Sequence, residues 1–144
     1  MKNEADLVYL TRYGPARKVS RGRQICICVI AYSPKKFYLV TDDDMLQNLR
    51  FTHQMERLYA QDLHFLNFSE LVVGMPVAAR YIGGDLAWYR AKLVSFDVEK
   101  NQCQVEFVDY AHSQSNNLQQ LRSMPLEIAK YPPMALECKL IVNA

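Results

Sequence analysis

Residues 74–110 read GMPVAARYIGGDLAWYRAKLVSFDVEKNQCQVEFVDY, and the way this stretch divides decides the fold. Three runs rich in β-forming residues, MPVAARYI, AWYRAKLVSFDVE and QCQVEFVDY, are separated by Gly83-Gly84-Asp85 and by Lys100-Asn101. Breaks this short leave room for tight turns and none for helices, so three consecutive antiparallel strands in a small bent sheet or barrel are predicted. Side chains alternate along a strand, so Trp88 and Tyr89 point to opposite sides of the sheet. The indole is assigned to the core, where large aromatics usually lie.

Working outward from there, Gly74 breaks the chain from a packed crossing segment, residues 60–73, which carries Phe65, Leu66, Phe68, Leu71, Val72 and Val73. Before it, Met45, Leu49, Met55, Leu58 and Tyr59 recur at helical spacing, with an Asp among 42–44 predicted to cap the helix. Earlier still, ICICVIAY and KKFYLVT flank Ser33-Pro34-Lys35-Lys36 and read as a hairpin. Downstream, the amide-rich Ser113–Gln120 reads as a short edge strand and Leu121–Met124 as a turn before Pro125. Pro132-Pro133 closes a further segment, and MALECKLIV reads as a last strand with nothing after it to pair with its far edge. The expected organisation is a basic leader (1–23), a hairpin and long helix (24–73), a β-barrel (74–124) and a return segment (125–144) expected to be cut short.

With 50% hydrophobic and 22% charged residues, the 144-residue chain can bury a core of its own. Seventeen basic against fifteen acidic residues give a net charge of +2, meagre for a polyanion binder. No apolar run approaches the roughly 20 residues of a membrane span, and MKNEADLVYL carries no signal-peptide core. Cys26 and Cys28 have C-x-C spacing, with Cys103 and Cys138 far away, which suits buried thiols on one strand face in a reducing compartment rather than zinc or redox chemistry. The Asp42-Asp43-Asp44 run is a poor metal site, since hard cations want oxygens converging from several directions. His53 and His64 have no nucleophile at motif spacing. No catalytic residue, metal or cofactor is predicted, and enzyme activity is not expected.

The W-Y-R-A quartet Trp88-Tyr89-Arg90-Ala91, the later Val108-Asp109-Tyr110, and LRSMPLEIAKYPPMALECKL after them resemble, in order and spacing, the extended Tudor domains of germline Tudor proteins and of the Tudor-staphylococcal-nuclease protein. The resemblance covers Gln24 to Ala144. It implies a mainly β fold with one or two helices, in which a five-stranded Tudor barrel is joined to a staphylococcal-nuclease-like, OB-type part contributed from both ends of the chain.

The resemblance also implies an aromatic cage for methylarginine with walls Tyr81, Tyr89, Phe107 and Tyr110, whose convergence alternation along the strands does not establish. At the polar corner the family's D-Y-G-N reads Asp109-Tyr110-Ala111-His112 here. His112 accepts a hydrogen bond only when neutral, and Ala111 lacks glycine's easy access to positive φ, so a different loop path is expected. Asp85 and Glu106 are the candidate acidic residues of the groove. The implied function is binding of arginine-rich segments, symmetrically dimethylated or not, of a partner such as a PIWI-clade Argonaute. The setting would be a cytoplasmic scaffold of perinuclear germ granules in the gene-silencing piRNA pathway. The alternatives are a module with an impaired cage that takes an unmethylated partner, and RNA binding through the OB-type part, where Phe37 and Tyr38 lie on predicted strands. Self-association would use regions outside this chain.

Overall fold

A computed structural model describes residues 13–14, 25–61 and 63–140. The basic leader lies outside the described residues except for Tyr13 and Gly14. Two antiparallel sheets form. β1 (Cys26–Ser33) and β2 (Lys36–Thr41) make the predicted hairpin, and β8 (Leu136–Cys138) pairs with β2 to give the order β1-β2-β8. Between them in sequence come α1 (Asp42–Tyr59), β3 (Pro76–Arg80), β4 (Trp88–Asp97), β5 (Gln102–Phe107), β6 (His112–Asn116), β7 (Leu121–Ser123) and the four-residue α2 (Leu126–Ala129). The larger sheet has the order β6-β5-β4-β3-β7. The amide-rich strand β6 is at its edge, as predicted, but it ends at Asn116, and Leu118–Gln120 form a 3-10 turn closed by Asn117. Leu121–Ser123 is not a turn: it pairs with β3, Val77 opposite Ser123 and Ala79 opposite Leu121, because Leu121 alternates inward and completes the apolar face.

The two faces of the larger sheet line two cores. Val77, Ala79, Ala91, Leu93, Val105, Phe107 and Leu121 pack on one face with Leu66 and Leu71 of the crossing segment. Ala78 and Trp88 on the other face meet Phe51, Met55 and Tyr59 of α1 together with Met134 and Ala135. Trp88 is 2% exposed, in the core as predicted. In α1 the buried positions are Asp44, Asn48, Phe51, Met55 and Tyr59. Leu49 faces outward at 58% exposure, so the helix is rotated from the predicted face toward two polar residues. The helix cap is Thr41, whose Oγ1 accepts from the Asp44 N–H at 3.3 Å, while the three aspartates occupy the first turn and favour its positive dipole end. Cys28 is exposed and Cys26 only half-buried, because their face of the small sheet is incompletely covered; the buried thiol is Cys103.

One guanidinium ties the larger sheet to the segment that leads into β8. Arg90 of β4 is 0% exposed and spends all five N–H donors. Nε and Nη2 reach Asp109 Oδ2 and Oδ1 at 2.9 and 2.6 Å. Nη1 donates to the Ile128 and Tyr131 carbonyls at 3.0 and 2.6 Å, and Nη2 also to the Pro132 carbonyl at 3.0 Å. Asp109 Oδ1 in turn accepts from the Met134 N–H at 3.0 Å. Burial works against the charge on Arg90, but the hydrogen bond and the negative charge of Asp109 outweigh it and hold the guanidinium above its ordinary value. Removing one partner of a buried pair strands the other. Arg90→Ala is therefore expected to lose about 3–5 kcal/mol in chemical denaturation, and Arg90→Lys also to destabilise, since three donors cannot serve this fork of acceptors.

Candidate functional site

The aromatic residues gather where strand order ends. Tyr89 lies near the start of β4, on the face opposite Trp88, and Phe107 closes β5 against Ala91. After Phe107 the chain turns sharply: the Tyr110 and Ala111 N–H groups both donate to the Phe107 carbonyl, at 3.2 and 2.8 Å. Ala111 takes φ +54°, the left-handed conformation that glycine favours, so a tight turn forms here without a glycine. Tyr81 follows β3 in a loop closed by the Tyr81 N–H to the Ala87 carbonyl at 2.9 Å. A Cβ on Gly84 would lie 2.5 Å from the Tyr81 ring, so only glycine lets that ring settle against the loop.

These residues enclose a recess of about 330 Å³ lined by Val29, Ile30, Tyr81, Asp85, Tyr89, Phe107, Tyr110 and His112. The Phe107 ring stands at 82° to Tyr81 and 85° to Tyr89, and those two stand at 88° to each other, like three faces of a box corner. Tyr110 adds a ring 5.5 Å from Tyr89 at 89°. His112 runs nearly parallel to Phe107, at 8° with centroids 6.5 Å apart. Phe107 is 1% exposed and forms the floor, while the three tyrosines are half-buried walls. Val29 and Ile30, from the hairpin of the small sheet, close the far side; nothing in the strand pattern of β1 marked them.

The two candidate acidic residues part company. Asp85 lines the recess, accepting from the Ala87 N–H at 3.0 Å and from the Tyr89 hydroxyl. Glu106 does not line it: it is 3.8 Å from Lys92 and borders a separate recess with Tyr38 and Ala135. Burial and the Asp85 hydrogen bond push the Tyr89 phenol well up, and burial and the charge of Asp109 raise that of Tyr110, so both walls keep their protons at neutral pH. The recess thus offers π faces, one carboxylate and the His112 imidazole, a set suited to a flat or compact cation. Among the described residues no three His, Cys, Asp or Glu side chains form a group that could hold a metal ion, and no helix is long and apolar enough to cross a membrane.

A five-stranded antiparallel sheet with aromatic side chains gathered at one end is the architecture of a Tudor barrel. The chain belongs to the Tudor domain family, whose model matches residues 18–141. It is 28% identical over 123 residues to zebrafish Tudor domain-containing protein 1, matching 83% of this chain and 10% of that protein. It is 34% identical over 67 residues to mouse RING finger protein 17, matching 46% of this chain and 4% of that one. Among solved structures it is similar to extended Tudor domain TD3 of mouse TDRD1 in complex with a MILI peptide containing dimethylarginine, with TM-score 0.72 and 25% identity over 88% of this chain and 64% of that one. A complex of Tudor with Aubergine carrying symmetrically dimethylated arginine superposes with TM-score 0.67 and 25% identity over 81% of this chain and 65% of that one. The chain thus spans about two thirds of these solved domains and a small fraction of the curated relatives' length. The likeness extends to the small sheet, the part built like a staphylococcal nuclease in extended Tudor domains.

Two substitutions probe the loops that carry the rings. Ala111→Gly relieves a left-handed alanine and is expected to raise stability by up to about 1 kcal/mol in denaturant titration. Gly84→Ala is expected to displace the Tyr81 ring, seen as a shift of its ring resonances in NMR, while the unfolding midpoint stays close to that of the parent.

Proposed function

We propose that this chain is a non-enzymatic binding module whose aromatic recess takes an arginine side chain, symmetrically dimethylated or bare, from an arginine-rich segment of a partner protein. The carrying observation is the convergence of Tyr81, Tyr89, Phe107, Tyr110 and Asp85 on one recess of side-chain size. A methylated guanidinium is a weakly hydrated planar cation, and each ring face it meets in a desolvated site contributes on the order of 1–2 kcal/mol. Asp85 has lone pairs beyond those used by the Ala87 N–H and the Tyr89 hydroxyl, and these accept a ligand N–H. His112 stands in the recess as a second acceptor in its neutral form and as a competing cation when protonated.

Solved relatives holding dimethylarginine peptides of MILI and Aubergine support an Argonaute-class partner here. Such a partner points to a scaffold working in cytoplasmic assemblies of the germline silencing pathway, with the germ granule as the finer placement. Cage walls Tyr81, Tyr89, Phe107 and Tyr110 with polar corner His112, and Asp85 as counter-charge, are the assigned contacts; Glu106 is left to the neighbouring recess.

Calorimetric titration of matched peptides, one with bare arginine and one with symmetric dimethylarginine, tests the reading. At least one peptide is expected to bind, and Tyr89→Ala to weaken it by about tenfold or more. If neither binds, the reading fails. His112→Asn is expected to raise affinity for the methylated peptide, since the asparagine side-chain oxygen is always an acceptor.

A further inference from the structure

Two of the tyrosine walls sit just past the end of a strand, Tyr81 with its backbone bonded to Ala87 and Leu86 and Tyr110 with its N–H on the Phe107 carbonyl, and each is further tied by a side-chain amide from a distant element. Tyr110 follows β5, and its hydroxyl accepts from Nδ2 of Asn48 on α1. Tyr81 follows β3, and the peptide groups on either side of it are both bonded by Gln114 of β6. Gln114 Nε2 donates to the Arg80 carbonyl at 2.7 Å and Oε1 accepts from the Ile82 N–H at 3.1 Å. Asn116 adds a second bond to the Arg80 carbonyl, at 3.0 Å. β3 and β6 are not neighbours in the sheet, so these amides bridge across β4 and β5 where the sheet curls round the recess.

Asn48 is badly chosen if packing were its only task. It is 1% exposed on the apolar face of α1, and its Oδ1 is buried without a hydrogen-bond partner. A leucine there would bury no polar atom, so an orphaned acceptor is a standing cost that calls for an explanation outside stability. The bond to Tyr110 supplies one. Building on the reading of the recess as a ligand pocket, we infer that Asn48 and Gln114 are positioning residues, which fix the Tyr110 and Tyr81 walls in the orientation a cationic side chain requires. Neither amide lines the recess itself; they act through the rings.

The test separates positioning from folding. Asn48→Leu is expected to leave the thermal midpoint unchanged or raised while weakening a peptide with one symmetric dimethylarginine by about tenfold. Tyr110→Phe should cost as much, and the two together no more than either, since they remove the same bond. Gln114→Leu is expected to weaken the same peptide through Tyr81 instead. Fluorine NMR of 3-fluorotyrosine-labelled protein reads wall order without a ligand: the Tyr110 resonance should broaden or split in Asn48→Leu and the Tyr81 resonance in Gln114→Leu, each leaving the other unchanged. Unchanged resonances, or affinity that falls only in step with stability, would overturn the inference. Should the parent fail to bind the peptide, the proposed function falls while the resonances still decide whether the amides order the rings.

Discussion

The buried fork between Arg90 and Asp109 is the constraint on which the rest of the molecule rests. One side chain joins the middle strand of the large sheet, the turn after β5, one carbonyl of α2 and two carbonyls just beyond it. Its position fixes the path of residues 128–134, and that path delivers β8 to the edge of β2. Charges taken this far from water stabilise only when every donor is met, and here every donor is met. The small helix α2, too short to hold itself, has its Ile128 carbonyl capped by the same guanidinium. Asp109 and Tyr110 are adjacent, so the pair that holds the segment before β8 also sets where the last aromatic wall begins.

Around that pair the architecture is economical in its use of helix and hairpin. α1 covers one face of the large sheet through Phe51, Met55 and Tyr59, and it also reaches the strand ends: Glu56 accepts from the Trp88 N–H at 3.2 Å and from Arg80 at 3.3 Å. The hairpin contributes Val29 and Ile30 to the recess. The recess is therefore built from both sheets, and its shape depends on their docking as much as on the rings themselves.

Much of this was legible in the sequence. The three central strands declared themselves through β-forming runs split by Gly83-Gly84 and Lys100-Asn101, and Trp88 through parity. Parity could not bring Tyr81, Phe107 and Tyr110 together, because two of them lie beyond strand ends and their approach depends on Ala111 at positive φ and on the space above Gly84. The family resemblance supplied that convergence. The helix face was misread because an apolar count treats Asn48 and Asp44 as solvent residues and Leu49 as core, whereas both polar side chains are buried with hydrogen-bond partners across the interface. Leu121 was misread as a turn because a three-residue strand shows almost no period.

Trp88 and Tyr89 are neighbours in the chain but belong to different interiors, one under the helix and one at the mouth of the recess. β4 therefore works like a reading frame. Loss or gain of one residue between Trp88 and Leu93 would exchange its two faces, sending the indole toward the recess and the phenol under α1, and would turn Arg90 away from Asp109. Length change is thus excluded between Trp88 and Leu93 even where individual side chains could be traded, whereas just beyond, between Leu93 and Ser95, the strand already carries a register shift against β5. Natural divergence among chains of this shape should accumulate as substitutions between Trp88 and Leu93 and as length changes outside that segment.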